Sequence, residues 1–160
     1  MLLRLMGIML DTVLHGCRSL PFNPSKGMDR TPADIDLDYE DIFLTTSDNE
    51  QVNGWYVPAN ADQPGPGTGR TLLFFHGNGG SIANRLPSLF VFQNLGLAQF
   101  IIDYRGYGRS SGKPTVLGTL RDARQAWDWL GREKNCAPEA ISLFGRSLGG
   151  GGAASTAAGW

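Results

Sequence analysis

The sequence predicts an α/β fold whose sheet opens with an antiparallel hairpin and continues in mainly parallel strands joined by crossover helices. Three observations carry this: short apolar runs at residues 71–75, 98–102 and 141–144, helical stretches between them, and two alternating segments before the first run. Apolar runs of this length, bounded by turn residues, suit strands buried on both faces, which is how helices cover a parallel sheet.

Each element has its own local reason. Residues 39–46 alternate in polarity, and residues 52–57 are rich in β-branched and aromatic side chains. The turn signal Ser47-Asp48-Asn49-Glu50 joins them as a hairpin. Residues 60–69 are crowded with Pro and Gly and form a loop. Ser81 caps a helix that carries Ile82, Leu86, Leu89, Phe90 and Phe92 to about Leu95. Gly96 stops that helix, and Pro87 inside it predicts a kink. Residues 117–130 are helical at a 3.6-residue period, with Leu120, Ala123, Trp127 and Leu130 as the apolar stripe. Residues 21–33, rich in Pro, Asn, Ser, Lys and Gly, read as a surface approach segment without regular structure. The chain thus divides into a leader and approach segment at 1–33 and an α/β domain at 34–160, whose strand crossovers are expected to be right-handed.

Composition narrows the function classes. A chain of 160 residues can bury roughly 68 to 70% of the surface it would expose unfolded, enough for one core. The formal net charge is -1, and no Lys/Arg run offers a field for nucleic acid, so small-molecule partners are favoured. The two cysteines, Cys17 and Cys136, make no disulfide framework, and no Cys/His cluster has zinc spacing, so neither metal nor cofactor is expected. Residues 1–14 are apolar with one early charge, Arg4, and lead into Leu14-His15-Gly16-Cys17, which resembles a bacterial lipobox. Lipidation at Cys17 would anchor the chain to a bacterial membrane. Asp11 within the apolar stretch and His15 in place of a small residue favour an ordinary N-terminal segment with a free thiol and a cytoplasmic location. No run approaches the roughly 20 apolar residues that span a bilayer.

The strongest chemical signal is Gly145-Arg146-Ser147-Leu148-Gly149, entered directly from the apolar strand at 141–144. Gly-x-Ser-x-Gly alone is a weak pattern. After a buried strand it marks a sharp strand-to-helix turn that projects the serine hydroxyl, with glycines two before and two after leaving room for the turn. Ser147 is therefore the candidate nucleophile; the competing reading is a structural turn serine. The second signal, His76-Gly77-Asn78-Gly79-Gly80, follows the strand at 71–75. A phosphate-binding loop is the alternative there, but no Lys-Ser/Thr follows as that motif requires.

With these motifs the chain resembles the α/β-hydrolase superfamily, and within it the branch of Bem46-like serine hydrolases, some of whose bacterial relatives are lipoproteins. The resemblance rests on five segments in order: Thr31-Pro32-Ala33-Asp34, Gly54-Trp55-Tyr56-Val57-Pro58, His76-Gly77-Asn78-Gly79, Asp103-Tyr104-Arg105-Gly106-Tyr107-Gly108 and Gly145-Arg146-Ser147-Leu148-Gly149-Gly150. Cys17-Arg18-Ser19-Leu20-Pro21-Phe22 is similar to the segment that follows the lipid cysteine in those relatives. The resemblance implies hydrolysis of an ester, thioester or amide through an acyl-enzyme on Ser147. The backbone N–H groups of Asn78 and Leu148 would form the oxyanion hole. It also implies that His76 orders its loop, and that Asp103 and Arg105 tie loops together and do not serve in the triad.

The sequence departs from that pattern after the serine. The family's order is nucleophile, acid, histidine, and neither an acid nor a histidine follows Ser147. This predicts an N-terminal part of a hydrolase sheet, truncated after the elbow, and a rival reading as an inactive fragment with at most a binding or assembly role. Four consecutive glycines, 149–152, predict a compromised helix, since each costs about 1 kcal/mol relative to alanine. The strand at 141–144, central in the resembled sheet, is expected to become an apolar edge that invites self-association.

Overall fold

The computed structural model describes residues 22–157. A five-stranded sheet is the centre of the fold, in the order β2 (Glu40–Thr45), β3 (Gln51–Val57), β6 (Ala98–Ile102), β4 (Thr71–Phe75) and β7 (Ile141–Gly145). Strands β2 and β3 form the expected antiparallel hairpin. Strand β3 also pairs antiparallel with β6. Strand β4 lies between β6 and β7 and pairs parallel with both. Helix α1 (Leu86–Asn94) links β4 to β6, and helix α2 (Val116–Glu133) stands between β6 and β7. Helix α3 (Leu148–Ala157) follows β7. The short strands β1 (Asn23–Pro24) and β5 (Gly79–Gly80) pair parallel with each other outside the main sheet.

The two-residue alternation of the strands divides the core. Leu73 and Phe75 of β4 and Phe100 and Ile102 of β6 meet Ala123, Ala126 and Leu130 of α2 on one face. Phe74 and Ile101 meet Trp55 and Leu86 and Leu89 of α1 on the other. Each large apolar side chain buried this way contributes about 1.5–3 kcal/mol relative to exposure. This two-sided cover explains why the apolar runs were unbroken.

Charge holds the hairpin to the helical layer. The guanidinium of Arg105 meets Asp122 of α2 (Nη2 to Oδ1 2.8 Å) and Asp48 in the β2–β3 turn (Nη1 to Oδ2 2.7 Å). The backbone N–H of Arg105 also donates to Asp122 Oδ2 at 2.8 Å. This knot turns α2 about its axis: Thr119 and Asp122 are buried beside Ala123, Ala126 and Leu130, while Leu120 and Trp127 of the expected stripe are half-buried.

Three local expectations are corrected. Pro87 does not kink a continuous helix: residues Ile82–Arg85 form a 3-10 turn and the α-helix starts at Leu86, so Pro87 sits in a first turn where its missing N–H is harmless. The approach segment is not wholly irregular, because Asn23–Pro24 pairs with Gly79–Gly80 and Pro32–Ile35 forms a 3-10 turn. The glycine-rich segment after Ser147 is helical, as packing overrides propensity. There Gly149 lies against the Phe75 backbone and Gly152 against the Phe75 ring and Ala123.

Candidate active site

The site is built where β7 runs into α3. Ser147 joins them with φ 53°, the left-handed region that a non-glycine residue rarely occupies. The flanking glycines have a steric reason. A Cβ on Gly145 would lie 2.3 Å from the Gly149 carbonyl oxygen, and one on Gly149 would lie 2.0 Å from that of Phe75. Neither position admits a side chain without moving backbone. The turn is thereby pressed against the end of β4, where the Arg146 N–H donates to the Phe75 carbonyl at 3.1 Å. Ser147 itself is exposed.

The loop after β4 arrives at the same place. A Cβ built on Gly77 would stand 3.7 Å from Ser147 Cβ, so this loop backs directly onto the elbow. Asn78, Ser147 and Leu148 together line one cleft of about 400 Å³, closed on its far side by Val116, Thr119 and Leu120 of α2. All three candidate residues within the described part of the chain are thus brought together. Leu148 is the first residue of α3, where N–H groups have no partner within the helix and the helix dipole favours negative charge.

His76 is set apart from that cleft. It is fully buried, stacked 4.8 Å from the Tyr104 ring, with Nδ1 2.7 Å from the Gly77 carbonyl and Nε2 3.3 Å from Asp103 Oδ1. Asp103, also fully buried, accepts from the Ile82 N–H at 2.9 Å. Both side chains are committed to holding the loop and the start of the following 3-10 turn. Burial pushes the Tyr104 hydroxyl far above its usual range, so it remains a donor, to the His76 carbonyl at 3.0 Å.

Sequence reasoning missed the residues that surround Asn78. Asn23, Arg85 and Tyr107 all bond to the loop 78–79. Asn23 is distant in sequence and gave no local signal, whereas Tyr107 stood within a quoted motif without a role. Cys17 lies outside the described residues. Among the described residues no group of three or more His, Cys, Asp or Glu could hold a metal, and no helix is long and apolar enough to cross a membrane.

No protein-family model matches the chain. It is 40% identical over 127 residues to an α/β hydrolase domain-containing protein, WAV2 of Arabidopsis thaliana, covering 79% of this chain and 40% of that protein. To protein bem46 of Schizosaccharomyces pombe it is 36% identical over 121 residues, covering 75% of this chain and 40% of that protein. The chain thus spans about 40% of the length of these relatives. Among solved structures it is similar to the Pyrococcus furiosus esterase Pf2001, with a TM-score of 0.62 and 26% identity, over 81% of this chain and 50% of that one. XC6422 of Xanthomonas campestris, a serine hydrolase without a lid, shares the fold at a TM-score of 0.64 and 19% identity, over 76% of this chain and 56% of that one. The hairpin, the parallel strands with their helices and these relatives agree: the chain has the N-terminal part of an α/β-hydrolase fold and is similar to Bem46-like proteins of that superfamily.

Proposed function

We propose that this chain carries the nucleophile and oxyanion site of a serine hydrolase acting on small-molecule esters, thioesters or amides. The observation that supports it best is the left-handed Ser147 between β7 and α3, in one cleft with Asn78 and Leu148. In this reading Ser147 Oγ attacks the acyl carbon, the carbonyl oxygen becomes an anion, and the N–H groups of Asn78 and Leu148 stabilise it. The serine proton passes through a general base to the departing alcohol, thiol or amine as the intermediate collapses, leaving an acyl-serine that water hydrolyses.

A serine needs a base to attack efficiently. His76 is the histidine among the described residues, and its burial and its hydrogen bond to the Gly77 carbonyl keep it from that task. The general base therefore belongs to residues other than those described. Oxyanion stabilisation without that base supports only slow turnover. The edge strand β7, with Phe144 38% exposed, is where a further strand or a second copy would pair.

Turnover of p-nitrophenyl butyrate by the purified chain tests the reading. A slow rate above the uncatalysed reaction that disappears in Ser147→Ala is expected; a rate unchanged by that substitution contradicts it.

A further inference from the structure

The oxyanion loop is held by donors along its whole length. The Tyr104 hydroxyl donates to the carbonyl of His76 (3.0 Å), and His76 Nδ1 faces that of Gly77 (2.7 Å) and so carries the hydrogen. The Tyr107 hydroxyl donates to the carbonyl of Asn78 (2.9 Å), Arg85 Nη2 to that of Gly79, and the Ser25 N–H to that of Gly80 (3.1 Å). Every carbonyl from 76 to 80 thus has a donor from outside its own peptide plane.

In a trans peptide the C=O of one residue and the N–H of the next point in opposite directions, and no peptide bond among the described residues is cis. Fixing the Gly77 carbonyl therefore aims the Asn78 N–H, and fixing the Asn78 carbonyl locks the plane on its other side. The side chain of Asn78 is held as well: its Oδ1 accepts from the Asn23 N–H (3.1 Å) and lies 2.7 Å from Tyr107 Oη, whose single hydrogen it shares with the Asn78 carbonyl. Tyr107 reaches both the backbone carbonyl and the side chain of Asn78. It is fully buried. Burial also raises its hydroxyl above the usual range, which keeps it a donor.

We propose that Tyr107 is a positioning residue for the oxyanion site, and that residues 23–25 are a strap which works with it. Together they hold Asn78 with its N–H toward the cleft before any substrate enters. This rests on the reading of Asn78 as an oxyanion donor. Donors that are already aligned need no reorganisation as charge develops, so loosening them slows the chemical step and leaves encounter unchanged.

The test uses the full chain and a fluorophosphonate, whose phosphoryl oxygen gains negative charge as Ser147 attacks. Tyr107→Phe is expected to lower the limiting inactivation rate by about 10- to 100-fold, less than removing an oxyanion donor outright. The half-saturating probe concentration should stay unchanged, and the thermal midpoint should fall by a few degrees at most, as the Asn78 carbonyl loses its donor. A variant that merely unfolds in part would lose amplitude and keep its limiting rate. If the wild-type chain reacts at Ser147 and Tyr107→Phe reacts equally fast, the positioning role is overturned and the reading of the site stands. If the wild-type chain does not react at Ser147, the reading of the site fails, and amide hydrogen exchange decides the loop-holding role. Faster exchange in Tyr107→Phe confined to residues 78–80 supports it, and unchanged exchange there overturns it.

Discussion

Strands β4 and β7 are neighbours of similar composition, Thr-Leu-Leu-Phe-Phe and Ile-Ser-Leu-Phe-Gly, yet all five residues of β4 are buried and only Ile141 of β7 is. The difference is position. β4 pairs with β6 on one side and β7 on the other, whereas β7 pairs with β4 alone among the described strands. Phe144 packs edge-on against Phe74 and Phe92 and still remains 38% exposed. The candidate nucleophile lies on the open side: Ser147 follows β7, while the loop that would hold the oxyanion follows the closed β4. The candidate site thus joins a firmly packed half to one with an exposed face.

Breaking the junction should have the largest effect. Gly149→Ala places a Cβ 2.0 Å from the Phe75 carbonyl oxygen, and the backbone cannot yield as a flexible side chain would. A loss of about 3 kcal/mol or more is expected in denaturant unfolding. Next comes the contrast between the strands themselves. Leu73→Ala in β4 should cost about 2–5 kcal/mol, and Phe144→Ala in β7 should cost about 1 kcal/mol, because much of that ring is already in water. Sedimentation should also show weaker self-association for Phe144→Lys than for the wild-type chain, since an edge charge opposes strand pairing.

The β2–β3 turn also predicts an acid response. Hydrogen bonds from Arg105 and Thr46, with a further one from Arg121, hold the Asp48 carboxyl far below its ordinary value. A depressed carboxylate stabilises the fold above its unfolded pKa, and that contribution is lost as the pH falls toward the folded one. Stability should therefore decline progressively below about pH 4, and Asp48→Asn should flatten that decline. The smallest effect is expected at Gly150, where a Cβ would meet nothing within 4 Å. Gly150→Ala should stabilise α3 by about 0.5–1 kcal/mol, in contrast with its neighbour Gly149.

Much of this arrangement was legible in the residues. The runs at 71–75 and 98–102 coincide with β4 and β6, because an apolar run between turn residues has few other fates in a covered sheet. The elbow was legible because its glycines answer a local steric demand. Packing and charge account for what was not legible. The rotation of α2 depends on Arg105 drawing Asp122 inward, and the helix through 149–152 depends on Phe75 and Ala123, which lie on other elements. The strap at Asn23–Pro24 could not be seen, since a two-residue strand has no period and its partner, Gly79–Gly80, lies far along the chain.

Covalent labelling tests the central claim most directly. The full chain would be incubated with a fluorophosphonate and the modified peptide mapped by mass spectrometry. A slow adduct on Ser147, absent from Ser147→Ala, is the predicted result. No adduct, or one spread over other serines with Ser147 spared, would contradict the account.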